Sequence, residues 1–324
     1  MLPGPWRRQR VAGPARVWRG SGARRGDRAR RRCVSVAAVP LALITGASTG
    51  IGRATALRLA QGGWTVLAGV RDSAAGERLC SEAPHPERLL ALTLDITHAE
   101  QVRAAAQRVG EVAAQGLATC TDGLDALINN AGIGLGGPLE LISAEDLRRQ
   151  FEVNVFGQVA ITQALLPALR RSSGRIVLVS SIGGRVAMAY NGPYAGSKFA
   201  LEAFGDALRV ELRSSGVKVA LLEPGSVATP IWEKARAEGS RLRIPDELAE
   251  HYGHVPAAMD RALASTARRG IAPERVAEVI ERALTESRMR ARYVVGRDAH
   301  AMLLARRLLP DLVFDRLARR ALGV

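Results

Sequence analysis

Short apolar runs alternate along the chain with longer stretches in which apolar residues recur every three or four positions. The runs lie at 41–46, 65–70, 89–94, 124–128, 175–180, 217–222 and 292–295. Bounded by Gly, Pro, Asn and Asp, they read as buried strands. Between them, Ala54, Leu57, Leu59 and Ala60 give one helical face, and residues 99–118 give an Ala-rich helix. A helix over 145–170 carries the stripe Phe151, Val155, Val159, Thr162 and Leu166. Another over 194–214 carries Phe199, Leu201, Phe204, Leu208 and Leu212, and a further helix is predicted at 273–287. Strands alternating with helices predict a single doubly wound α/β domain with a mainly parallel sheet, here 39–300. From 231 to about 270 the pattern becomes charge-rich, irregular amphipathic helix. This predicts a helical lid inserted over about 228–272, at the crevice beyond the strands.

Charge changes the picture only at the ends. The net charge of +15 resembles a nucleic-acid signal until it is located: residues 1–33 hold eleven Arg against Asp27 alone. That Arg-, Gly- and Pro-rich leader, 1–38, has too little aliphatic content to bury a core and is expected to be disordered. A phosphate-binding arm, a secretory signal and a mitochondrial transit peptide each fit part of it. Its only stacking residues are Trp6 and Trp18, the apolar run after it leads into the first strand, and Ser is scarce. The leader is therefore expected to be dispensable, with no nucleic acid bound. The tail 301–324 is amphipathic, basic and broken at Pro310, and could touch a membrane surface, pack on the body or meet a partner subunit.

The composition of the whole chain, 47% apolar and 24% charged, is that of a soluble globular protein. Cys33, Cys80 and Cys120 are odd in number and scattered, which indicates neither a disulfide framework nor a zinc site. His251 and His254 stand at metal-ligand spacing but lack evident partners, so no metal is expected. No apolar stretch reaches the roughly eighteen residues of a membrane-spanning helix, and the chain is expected to be cytoplasmic.

The candidate chemistry sits at the strand ends. The first strand runs into Thr45-Gly46-Ala47-Ser48-Thr49-Gly50-Ile51-Gly52 and then into a helix. A strand, a Gly-rich turn and a helix start bring backbone N–H groups and the positive helix end onto a phosphate. Arg71 and Asp72 close the second strand, about twenty residues past the glycines. There an Arg suits a ribose 2′-phosphate and a carboxylate suits a free 2′-hydroxyl, so NADP(H) is preferred and NAD(H) is the alternative. The pair also reads as a plain solvated turn. Asp95, at the end of the third strand, points to the ligand crevice or caps the next helix.

The central stretch 181–198 starts with Ser181 after a buried strand and ends in Tyr194-Ala195-Gly196-Ser197-Lys198. Tyr194 and Lys198 lie one helical turn apart on one face. A phenol working near pH 7 needs its pKa lowered by roughly three units, about 4 kcal/mol. A cation some 4 Å away at an effective dielectric near 20 supplies about 4 kcal/mol. One lysine is of the right size. Asn154 lies inside a helix, where Asn is a poor helix former, and a buried structural Asn would explain it as well.

Taken together, TGASTGIG (45–52), NNAG (129–132), Asn154 in VNVFG, Ser181, YAGSK (194–198) and PG (224–225) resemble the short-chain dehydrogenase/reductase family. The resemblance runs in family order over about residues 40–300. Its flavour is that of the branch holding 17β-hydroxysteroid and retinol dehydrogenases and bacterial relatives. It implies a Rossmann fold, reversible hydride transfer between a nicotinamide and a carbonyl or alcohol carbon, and a homodimer or homotetramer through helices 145–170 and 194–214. The implied catalytic residues are Asn154, Ser181, Tyr194 and Lys198. Tyr194 would be the acid or base, Lys198 would lower its pKa, Ser181 would donate to the substrate oxygen, and Asn154 would kink its helix and hold a water. The implied cofactor contacts are Gly46, Ser48, Thr49, Gly50, Ile51, Gly52 and Arg71, then Asp95, Ile96, Asn130, Ala131 and Gly132. Tyr194, Lys198, Pro224, Gly225, Val227 and Thr229 complete them.

Ile133, Leu135, Val186, Met188, Tyr190, Ile231 and Trp232 form the expected pocket wall. With no evident cation among them beyond Arg185 and the lid arginines, the substrate is expected to be a small hydrophobic ketone, aldehyde or alcohol. Two other classes fit parts of the sequence: a non-catalytic NADP(H) sensor, and a nucleic-acid binder using the leader.

Overall fold

The apolar runs pair edge to edge because each can bury both faces only under helices. A computed structural model describes residues 39–115, 123–239 and 243–322. The leader, Cys33, Cys120 and the side chain of Trp232 lie outside the described residues. The strands are β1 (Leu41–Ile44), β2 (Thr65–Val70), β3 (Leu89–Thr93), β4 (Ala126–Asn129), β5 (Arg175–Val179), β6 (Lys218–Pro224) and β7 (Arg292–Val295). They form one sheet in the order β3-β2-β1-β4-β5-β6-β7, every pairing parallel.

In chain order the helices are α1 (Gly50–Gln61), α2 (Ser73–Glu82), α3 (Ala99–Ala114), α4 (Ala144–Phe151), α5 (Gly157–Ser172) and α6 (Gly192–Glu211). After β6 come α7 (Ile231–Gly239), α8 (Ala249–Tyr252), α9 (Val255–Arg269), α10 (Pro273–Thr285), α11 (Arg297–Leu308) and α12 (Asp311–Leu322). Alternation along β1 divides the core. Ala42 and Ile44 face α1 and α10 with Ala56, Leu59, Val276 and Ile280. Leu41 and Leu43 face α3, α5 and α6 with Val109, Ile161, Leu165 and Leu201.

Two local departures matter for the site. The helix predicted over 145–170 is split by a π-helical turn, Glu152–Phe156, that contains Asn154. Such turns interrupt the regular hydrogen-bond ladder and occur often at functional sites. The helix predicted from Tyr194 starts two residues earlier, with Pro193 in the first turn, where its missing N–H costs nothing.

The lid comprises α7, α8 and α9. Arg236 on α7 makes a two-pronged ion pair with Asp260 on α9, at 2.8 and 3.1 Å. Tyr190 and His254 (3.3 Å) and Tyr252 and Glu140 (2.7 Å) hydrogen-bond the lid to the body. The C-terminal helix α11 begins at Arg297, ahead of the tail boundary predicted at 301, and α12 buries Phe314 while Leu308, Leu312 and Leu317 stay exposed. Among the described residues, no helix is long and apolar enough to cross a membrane.

Candidate active site

Strand order reverses between β1 and β4, so their connections leave in opposite directions and open a crevice. The register sets Ile44 beside Ile128, which brings the Gly-rich turn and the Asn-rich turn together. Thr45 Oγ1 accepts from the N–H groups of Asn130 and Ala131, both at 2.9 Å. Asn130 Nδ2 donates to the carbonyls of Thr45 and Gly46, both at 3.0 Å. Gly46 holds φ at +66°, a left-handed conformation that favours glycine. At Gly52 a Cβ would lie 2.3 Å from Gly46 O and 2.5 Å from Asn130 Nδ2, so only glycine lets α1 approach this closely.

The start of α1 is open to an anion. Thr49 does not cap it with its side chain, and its first turn holds no acidic residue. An outside acceptor would satisfy those N–H groups and meet the positive end of the helix dipole. The crevice is lined by Gly46, Ser48, Thr49, Gly50 and Ile51, by Arg71, Asp95 and Ile96, and by Asn130, Ala131 and Gly132. Tyr194, Lys198, Pro224, Gly225, Val227 and Thr229 close its inner end. Of the predicted cofactor contacts Gly52 alone stands behind the wall, where it supports Gly46. These residues fit a dinucleotide.

Asp72 does not reach the crevice, since its carboxylate caps α2 by accepting from Ala74 N at 3.1 Å. Asp95 does both things expected of it: it lines the crevice and accepts from Thr97 N (3.0 Å) and Thr97 Oγ1 (2.7 Å). Burial pushes its carboxyl up, but the Thr97 hydrogen bonds with His98 and Arg71 nearby outweigh this and hold it below the usual value.

Beyond Tyr194 lies a second, largely apolar cavity of about 310 Å³ that shares Ser181, Tyr194 and Gly225 with the crevice. Leu135, Val186, Met188 and Tyr190 line it as predicted. Ile133 and Ile231 instead line the crevice, because the turn after β4 and the start of α7 face that side. Ala235, Met259, Leu263 and Met302 were not anticipated, since irregular helices far along the chain carry no local motif. Among the described residues, neither Arg nor Lys lines the cavity. Arg185 pairs with the buried Glu223 at 3.0 Å, and Asp298, the one charged lining residue among those described, accepts from Ser226 N at 2.7 Å.

Tyr194, Lys198 and Ser181 converge where the two spaces meet. Ser181 hydrogen-bonds the Tyr194 phenol, and Lys198 Nζ stands 5.7 Å from the centre of the Tyr194 ring. The amine donates to Val179 O at 2.9 Å. Burial raises the pKa of the Tyr194 phenol, the Ser181 hydrogen bond only partly offsets this, and the Lys198 amine points to a backbone carbonyl. Asn154 lies behind them with its amide already engaged. Its Oδ1 accepts from Ile133 N (2.8 Å), and its Nδ2 donates to Ile133 O and Ser197 Oγ (both 3.0 Å).

The sequence profile of the family described as short chain dehydrogenase matches residues 40–240. The chain belongs to the short-chain dehydrogenase family. It is therefore an oxidoreductase acting on CH–OH groups with a nicotinamide cofactor. This short-chain dehydrogenase is 34% identical to an NADPH-dependent 3-dehydrocapnine reductase of Ornithobacterium rhinotracheale, over 85% of the chain and 95% of that relative. It is 38% identical to retinol dehydrogenase 5 of Mus musculus, over 84% of the chain and 85% of that relative. A short-chain dehydrogenase/reductase of Burkholderia phymatum, solved with NAD, superposes with a TM-score of 0.69 at 27% identity. That match covers 83% of this chain and 93% of the other.

Proposed function

We propose that this protein interconverts a small hydrophobic ketone or aldehyde and its alcohol, using NADP(H) in preference to NAD(H), with Tyr194 as proton donor and acceptor. The observation that carries this reading is the buried Tyr194–Ser181–Lys198 group, with Tyr194 and Ser181 lining both the dinucleotide crevice and the apolar cavity. When bound, the cofactor supplies or takes up the hydride at the reacting carbon. The chain's own residues do the rest. Ser181 and Tyr194 hydroxyls hold the substrate oxygen, and the Tyr194 proton passes to that oxygen in reduction and returns in oxidation. With the free phenol raised by burial, Tyr194 starts protonated, as an acid for reduction must. Lys198 sets the local positive charge. Asn154 holds the Ile133 turn against Ser197 on α6 and so fixes the wall of the crevice beside the phenol.

Gly46, Ser48, Thr49, Gly50 and Ile51 would hold the phosphates, and Asp95 and Ile96 the adenine. Asn130, Ala131, Gly132 and Lys198 would hold the nicotinamide ribose; Pro224, Gly225, Val227 and Thr229 would hold the carboxamide side. Arg71 on the crevice wall, with Asp72 engaged in capping α2, favours the 2′-phosphate. An apolar cavity with neither Lys nor Arg among its described lining residues favours an uncharged substrate. Exposed Phe156, Phe199, Phe204 and Val210 on the α5–α6 side favour a homo-oligomer.

The test is a titration of the full chain with NADPH and with NADH by nicotinamide fluorescence, followed by turnover on hydrophobic ketones. NADPH should bind more tightly, and Arg71→Ala should remove most of that preference, by about tenfold, as expected for loss of one charge-assisted pair. Failure to bind either nucleotide, or binding with no turnover on any carbonyl, would refute the reading.

A further inference from the structure

The end of β5 presents three consecutive residues to one stripe of α6. Val179 O accepts from Lys198 Nζ, Ser180 faces the carboxylate of Glu202, and Ser181 bonds Tyr194. Tyr194, Lys198, Glu202 and Asp206 follow at four-residue spacing, so the stripe runs from the reacting phenol through the interior to a partly exposed carboxylate. Glu202 is only 5% exposed.

The groups facing Glu202 come from four elements. From β7, Arg292 reaches Glu202 Oε2 (3.1 Å), Asp206 Oδ2 (2.7 Å) and Glu223 Oε1 (2.9 Å). From β6 comes Glu223, fully buried, which the Arg185 guanidinium meets from the turn after β5 at 3.0 Å. On α6 itself, Arg209 pairs with Asp206 at 2.6 Å and Lys198 stands one turn before Glu202. The three guanidiniums are thus each committed to a carboxylate. Lys198 is buried and, among the described residues, forms no ion pair of its own.

We propose that Glu202 is a positioning residue that keeps Lys198 protonated beside Tyr194 over the working range of the site, a role that rests on the Tyr194–Lys198 reading above. A buried amine gives up its proton unless a negative charge stands near. Burial lowers Lys198 to about 8, and the Glu202 charge acts against that fall. Burial raises Glu202 to about 7, Ser180 and Arg292 acting against the rise and Glu223 adding to it. Both groups are therefore ionised between about 7 and 8. Below that window Glu202 takes up a proton, and above it Lys198 releases one.

The composition makes the test direct, since the chain has three lysines: Lys198, Lys218 and Lys234. Selective ¹³C labelling of lysine at Cε in the full chain, free of cofactor, gives three methylene signals to follow against pH by NMR. The exposed Lys218 and Lys234 serve as internal references. Glu202→Gln keeps the shape and hydrogen-bonding reach of the side chain. It should move the Lys198 midpoint down by about one unit, a tenfold change in its proton affinity. Glu202→Asp should restore most of it, and Ser180→Ala, which disfavours the charged carboxylate without touching the ion pairs, should give a smaller downward move. The alkaline limb of the turnover profile should follow the NMR midpoint in each variant. A Lys198 midpoint unmoved in both Glu202→Gln and Ser180→Ala would overturn the proposal, and so would a moved midpoint with an unmoved alkaline limb. Neither result touches the assignment of Tyr194, which fails separately if Tyr194→Phe keeps full turnover.

Discussion

The crevice above β1 and β4 and the apolar cavity beyond Tyr194 share three residues, yet they are built in opposite ways. The crevice is made of turns, each a few consecutive residues at a strand end, with glycines wherever backbone approaches backbone. The cavity is made of side chains from segments as distant as Leu135 and Met302, three of them on helices outside the sheet layers. A charged, extended dinucleotide has to meet N–H groups at fixed points, and only backbone can hold so many donors so close. An apolar molecule needs volume and dryness, which many combinations of Leu, Met and Ala supply. Changes in the crevice should therefore act abruptly, and changes in the cavity by degrees.

The largest effect is expected at the junction. Tyr194→Phe removes the transferable proton and keeps the ring. It should lower turnover by at least about a hundredfold, the usual contribution of acid–base catalysis, with nucleotide affinity retained in fluorescence titration. Next comes Gly52→Ala, whose methyl would meet Gly46 O at 2.3 Å with no flexible atom to give way. Denaturant unfolding should show a loss of about 1–3 kcal/mol, as for overpacked sites, and nucleotide affinity should fall along with it. The smallest effect belongs to the cavity. Met259→Ala should raise KM for a hydrophobic substrate by roughly three- to tenfold, on the value of one or two buried methylenes, and leave nucleotide affinity unchanged. If the Met259 variant instead weakened nucleotide binding, or the Gly52 variant were silent, the division between the two regions would be wrong.

Much of the crevice is legible from sequence because its geometry is local. A strand, a Gly-rich turn and a helix start within twelve residues define the anion site, whereas Thr45 meets Asn130 only because the first apolar run pairs with the fourth. The i, i+4 spacing of Tyr194 and Lys198 puts them on one helix face whatever surrounds them. The cavity is less legible. Nothing local to Met259 or Met302 sets it apart from any other apolar residue on an amphipathic helix, and Ile133 and Ile231 turn to the crevice only because of how their segments leave the sheet.

By itself, the order of apolar runs, glycines and polar turns determined the doubly wound sheet, the position of the crevice and the identity of the residues at its inner end. Those features follow from backbone sterics and helical or strand periodicity, which act over a few residues. Tertiary structure alone decided the environment of those residues: that burial raises the Tyr194 phenol, that Lys198 spends a hydrogen bond on Val179, and that Glu202 stands with Arg292 and Glu223 beneath them. Desolvation and charge act through space, and the distances through space are set only when elements far apart in the chain have packed.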